Sequence, residues 1–68
     1  MIDARGYSCP EPVLMIQAAM KTNETCYEMM VDNHVSVENV TRFANHAGYT
    51  VSHEQKGNDF LLTITKSD

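Results

Sequence analysis

Val13, Ile16 and Met20 recur at helical spacing, with Ala19 on the same side, so a first helix is predicted from about Pro10 to Thr22. Leu14, Met15 and Ala18 widen its apolar surface, and Thr22-Asn23-Glu24-Thr25 ends it without a glycine. The rhythm then changes to alternation. Tyr27, Met29 and Val31 interleave with Cys26, Glu28 and Met30, which predicts a strand from Cys26 to Val31. Asp32-Asn33 closes that strand, and Asn33 is a good cap for a second helix from about His34 to Ala47. Val37, Val40, Ala44 and Ala47 share one face of it, with Phe43 beside them, and Gly48 is the expected terminator. Alternation returns in Tyr49–Glu54 and again in Phe60–Thr65, separated by the turn cluster Lys56-Gly57-Asn58-Asp59. Ahead of all these, Ile2-Asp3-Ala4 reads as a short first strand, and Gly6 then turns the chain toward Cys9.

The predicted order is β-α-β-α-β-β. Right-handed crossovers place both helices on one side of the sheet when each new parallel strand is added in the same direction. The last two strands form an antiparallel hairpin. The expected class is α+β, a two-layer α/β sandwich with one sheet face bare or contacting a partner. At 68 residues the chain is one small domain over residues 1–68. A chain of this size hides only about 60% of its unfolded surface, so two layers around one shared core is the plausible limit.

Charge narrows the range of functions. The net charge is −4, and Arg5, Lys21, Arg42, Lys56 and Lys66 are scattered, which argues against strong direct nucleic-acid binding. No apolar stretch reaches the length needed to span a bilayer, so no membrane role is expected. Asp3 and Arg5 precede an apolar run that contains Gln17 and Lys21, which is not a signal-peptide pattern. The default location is the cytoplasm, where Cys9 and Cys26 read as free thiols. They are too far apart in sequence for a C-x-x-C redox pair.

The chemistry concentrates in Cys9-Pro10-Glu11-Pro12. Proline is favoured at the first helical position, which makes Cys9 the expected cap residue. A cap side chain faces unpaired N–H groups and the positive end of the helix dipole, an environment that favours a reactive thiolate. Pro12 removes one of the donors a cap normally uses, leaving the Glu11 N–H as the main one, with Val13 behind it. Pro12 also disfavours helical geometry at Glu11. The segment is therefore stiff and suited to holding a thiol outward. Arg5 would add positive charge if it came close, and Glu11 would act in the opposite sense. The competing reading is a small apolar residue buried where a loop meets a helix. Cys26, inside a strand, is expected to be buried as a packing residue.

The other candidates read as structural. His34, His46 and His53 lie 12 and 7 residues apart, without metal-ligand spacing, so no metal is expected. Met1, Met15, Met20, Met29 and Met30 suit core and gap filling. Asp32-Asn33 is strand-end and cap chemistry.

Asp3-Ala4-Arg5-Gly6-Tyr7-Ser8-Cys9-Pro10-Glu11-Pro12-Val13-Leu14 closely resembles the opening of the small sulfur-carrier family that includes TusA, SirA and YedF. Asp32-Asn33-His34, Phe43, Gly48-Tyr49 and Phe60–Ile64 match its later landmarks, so the resemblance spans essentially the whole chain. It implies a mixed four-stranded sheet in the order 1-2-4-3. It also implies a persulfide on Cys9, with Pro10 and Pro12 as positioning residues and Asp3, Arg5 and Gly6 as support. No cofactor is implied. The implied partners are a cysteine desulfurase or other sulfur donor and a downstream acceptor protein. Family routes lead to thiolated tRNA bases, molybdenum-cofactor chemistry and sulfur oxidation, and some relatives are associated with selenium metabolism. Gln17-Ala18 stands where many members carry lysines, Tyr7 replaces a frequent leucine, Glu24 a glycine, and His34 a proline.

The leading expectation is a sulfurtransferase-type carrier rather than a stand-alone turnover enzyme. A thiol redox protein, a selenium carrier using Cys9 and a non-catalytic interaction module are the alternatives. One thiol without a resolving neighbour can hold a persulfide without closing an internal disulfide, which favours the carrier.

Overall fold

In a computed structural model that describes residues 1–67, the order is β1 (Ile2–Asp3), α1 (Glu11–Ala19), a 3-10 turn (Met20–Thr22), β2 (Cys26–Val31), α2 (His34–His46), β3 (Tyr49–Lys56) and β4 (Asp59–Lys66). Asp68 lies outside the described residues. The sheet runs β1-β2-β4-β3, as the resemblance implies. β1 pairs parallel with β2, and β4 lies antiparallel between β2 and β3. The hairpin strands extend further than the sequence pattern marks, with Lys56 still paired to Asp59.

Alternation decides the faces. Tyr27, Met29 and Val31 of β2 point inward with Phe60, Leu62 and Ile64 of β4, and these meet Ile16, Val37, Val40 and Ala44 from the helices in one core. Val13, Met15, Ala19, Met20 and Phe43 pack against its edge. The opposite sheet face carries Cys26, Glu28 and Met30 beside Leu61, Thr63 and Thr65.

Local chemistry sets the helix ends. The Asn33 side chain caps α2, accepting from the Ser36 N–H at 2.8 Å, as its position predicts. α2 stops at His46, one residue short of expectation, so Ala47 is exposed instead of joining the core face. Gly48 follows at φ +90°, a conformation glycine adopts without a Cβ penalty. At the far end of α1, Asn23 takes the left-handed conformation at φ 57°, which explains a stop without glycine. Tyr27 then fixes the exit: its Oη accepts the Glu24 N–H at 2.9 Å and lies 3.1 Å from Thr22 Oγ1.

Candidate functional site

Cys9 is exposed, and it sits closer to the loop than the sequence suggests. Pro10, not Cys9, occupies the cap position of α1, so Pro10 is not the first helical residue. Helical geometry begins at Glu11, with Pro12 second. The Cys9-Pro10 peptide bond is cis. The Glu11 N–H, the donor expected to serve the sulfur, is taken by the Ser8 carbonyl at 2.9 Å. That bond closes a four-residue turn from Ser8 to Glu11 with Cys9 at its second position. α1 itself starts with the Leu14 N–H donating to the Pro10 carbonyl at 3.1 Å. The thiol is therefore presented by a turn, and no side chain caps the helix.

The two prolines sit in opposite surroundings. Pro12 is among the fully buried side chains, while Cys9, Pro10 and Glu11 are exposed. Pro12 and, one turn later, the fully buried Ile16 anchor the start of α1 in the core. The residues just before that anchor are left outside.

The loop leading to Cys9 is tied down on both sides. The Ala4 N–H donates to the Met30 carbonyl at 2.8 Å, extending the β1–β2 pairing by one more residue. Gly6 has φ +86°, which favours glycine there, and its N–H donates to Asp32 Oδ2 at 2.8 Å. Asp32 Oδ1 accepts from Asn33 Nδ2 at 2.9 Å. These bonds, the Gly6 N–H first, hold the Asp32 carboxyl below the usual carboxylate range. Arg5 grips Asp3 bidentately, Nε to Oδ1 at 2.9 Å and Nη2 to Oδ2 at 3.0 Å, and reaches Asp59 Oδ2 at 3.4 Å. The Arg5 side chain, followed by its backbone N–H, lowers the Asp3 carboxyl to about 2. Arg5 is thus paired with carboxylates of β1 and β4. Asp3, Arg5 and Gly6 lie together at the end of the sheet from which the Cys9 loop departs.

Asp32 belongs to this support, a role its sequence context as a strand end does not show. A second set of residues also escaped the sequence reading. A shallow groove of about 420 Å³ runs between the start of α1 and α2, lined by Cys9, Val13, Asn39, Arg42, Phe43 and His46 with Pro10 at its edge. The signal was present: positions 39, 42, 43 and 46 share one face of α2 beside its core stripe.

Cys26 corrects the expectation of burial. It is exposed on the open sheet face, where its Sγ lies 3.9 Å from Thr65 Oγ1. The parity of β2 forces this, because Tyr27, Met29 and Val31 take the core side. Cys26 begins β2, whereas Gly6 is bonded just beyond the other end of that strand, roughly 16 Å away at the usual rise. Both cysteines are free, Cys26 on the open sheet face and Cys9 in the turn ahead of α1. Among the described residues no cluster of three His, Cys, Asp or Glu side chains is arranged to hold a metal. No helix is long and apolar enough to cross a membrane.

The family model for sulfurtransferase TusA matches residues 1–66, and the chain belongs to that family. A crystal structure of a SirA-like protein from Desulfitobacterium hafniense superposes with a TM-score of 0.86 at 30% identity, covering 98% of this chain and 96% of that one. No functionally curated sequence compared with the chain matches it. Family membership gives the chain a sulfur-carrier role in general, and sulfur relay implies work with protein partners.

Proposed function

We propose that the chain carries sulfur as a persulfide on Cys9 and relays it between a donor protein and an acceptor. The observation that carries this reading is the exposed Cys9 turn standing directly ahead of the buried Pro12 anchor, in a chain of this family. In loading, the Cys9 thiolate attacks the outer sulfur of a persulfide on a cysteine desulfurase or similar donor. The donor's S–S bond breaks, its cysteine leaves as a thiolate, and Cys9 holds the new S–S bond. In unloading, an acceptor nucleophile takes the outer sulfur, and Cys9 returns to a thiolate.

Such a relay needs a sulfur that another protein can reach and a loop that does not yield when two proteins dock. Pro10 and Pro12 set the turn and its anchor. Asp3, Arg5 and Gly6 brace the approach, with Asp32 holding Gly6. Both cysteines are free, and Cys26 stands on the open sheet face while Cys9 lines the groove on the helix side, which favours carrying over internal redox cycling. Operation in the cytoplasm would keep both thiols reduced. The route served would be tRNA thiolation or cofactor biosynthesis.

The test is incubation with a cysteine desulfurase and cysteine, followed by an alkylating probe that distinguishes persulfide from thiol. The carrier reading expects persulfide to accumulate on the chain and to be discharged by an acceptor thiol. Sulfenate or mixed disulfide under mild oxidant, with no sulfur uptake, would support the redox reading instead.

A further inference from the structure

We infer that Arg42 is a positioning residue for sulfur held on Cys9, binding the anionic outer sulfur of the persulfide in the groove between α1 and α2. The inference rests on the carrier reading above and deepens it. Arg42 lines the same groove as Cys9, from the face of α2 that also carries Asn39, Phe43 and His46. Its Nη1 donates to Asn39 Oδ1 at 3.3 Å, and among the described residues it forms no ion pair. The remaining guanidinium donors are left to the groove and to solvent.

The other cations nearby are already engaged or lie elsewhere. Arg5 is bound to Asp3 and Asp59, and Lys56 is bound to Glu54. Lys21 lies in the 3-10 turn after α1, and Lys66 donates to Asn23 beyond that same far end. The acidic groups in the neighbourhood are Glu11 on α1, next to the Cys9 turn, and Glu38 on α2, one turn before Arg42; Arg42 also borders the groove toward β3 that Glu38 lines, but among the described residues the two form no ion pair. Arg42 is thus the permanently charged group that lines the Cys9 groove.

The groove suits the species. A persulfide places its charged outer sulfur one S–S bond, about 2 Å, beyond Sγ. Val13 and Phe43 give the groove an apolar lining, which suits polarizable sulfur. A cation beside a partly apolar wall attracts an anion more strongly than it does in open water.

Inorganic polysulfide provides a test without any partner protein. The Cys9 thiolate attacks the terminal sulfur of a hydropolysulfide; the terminal S–S bond breaks, the rest of the chain leaves as a polysulfide dianion one sulfur shorter, and Cys9 keeps one sulfur as the persulfide. Alkylation of the loaded protein is then followed across pH by intact mass, for the wild type, Arg42→Gln and Arg42→Lys. Arg42→Gln is expected to raise the midpoint of the persulfide profile by about one pH unit, and Arg42→Lys to restore most of the shift. Unchanged circular dichroism checks the fold of each variant, and Arg42 is exposed. A superimposable Arg42→Gln profile overturns this inference alone. Failure of Cys9 to take sulfur overturns the carrier reading and this inference together.

Discussion

The Asp32 carboxylate accepts the backbone N–H of Gly6 at 2.8 Å, joining the end of β2 to the loop that delivers Cys9. Gly6 turns the chain there with a φ of +86°, a conformation that favours glycine. Asp32→Ala removes the acceptor without touching the core. The Gly6 amide is expected to lose protection from hydrogen exchange, and sulfur loading of Cys9 to slow by roughly tenfold, because loop position governs transfer geometry. Thermal stability should change little. An unaltered Gly6 amide and an unaltered loading rate would remove Asp32 from the support.

Asp3 makes a pH prediction with a defined sign. Its folded pKa of about 2 lies below the ordinary value of 3.8, because Arg5 hydrogen-bonds the charged form. The stability that Asp3 contributes is therefore full above about pH 4 and disappears as pH falls through about 2. Carboxyl NMR titration is expected to show the low midpoint in the wild type and a return toward the ordinary value of 3.8 in Arg5→Ala. A wild-type midpoint already in the ordinary range would contradict the Asp3–Arg5 geometry.

Ile16 and Leu14 lie on one helix but should respond very differently. Ile16 is 0% exposed and joins the core, whereas Leu14 is 52% exposed. Ile16→Ala is expected to cost about 2–5 kcal/mol, a large share of the stability of so small a domain. Leu14→Ala should stay within about 0.5 kcal/mol. Urea titration of both variants checks the contrast, and equal costs would place α1 in a different rotation about its axis.

Asn33 tests the start of α2. Its side chain accepts the Ser36 N–H, so Asn33→Ala is expected to cost about 1 kcal/mol while Asn33→Ser, an uncharged capping residue, is tolerated. Equal losses from both substitutions, in the same denaturation experiment, would argue against capping as the cause.

Local chemistry made much of the fold legible in the sequence. Asn33 as a cap, Gly48 as a terminator and the alternation of β2 and β4 all act within a few residues of themselves. Asn23 ends α1 by the same kind of local device, but asparagine in that role is a weaker signal than glycine. Cys26 is exposed despite a cysteine's general affinity for cores, because the parity of β2 gives the core side to Tyr27, Met29 and Val31. At Cys9 the preference of proline for the first helical turn was right in kind, but it placed the helix start one residue too early. The Ser8–Glu11 turn then took the donor that a capping sulfur would have used. Asp32 and Gly6 are 26 residues apart in sequence, and no local pattern announces their hydrogen bond. The groove residues of α2 were visible as a helical face, yet only the packing of α1 beside it shows that this face meets Cys9.

The measurement that bears most directly on the central claim is the intact mass of the protein after incubation with a cysteine desulfurase and cysteine. Wild type, Cys9→Ser and Cys26→Ser are compared under identical conditions. The wild type and Cys26→Ser are expected to gain the mass of one sulfur atom that a reductant removes, and Cys9→Ser to gain none. Uptake that survives in Cys9→Ser and is lost in Cys26→Ser would contradict the assignment of Cys9 as the carrier.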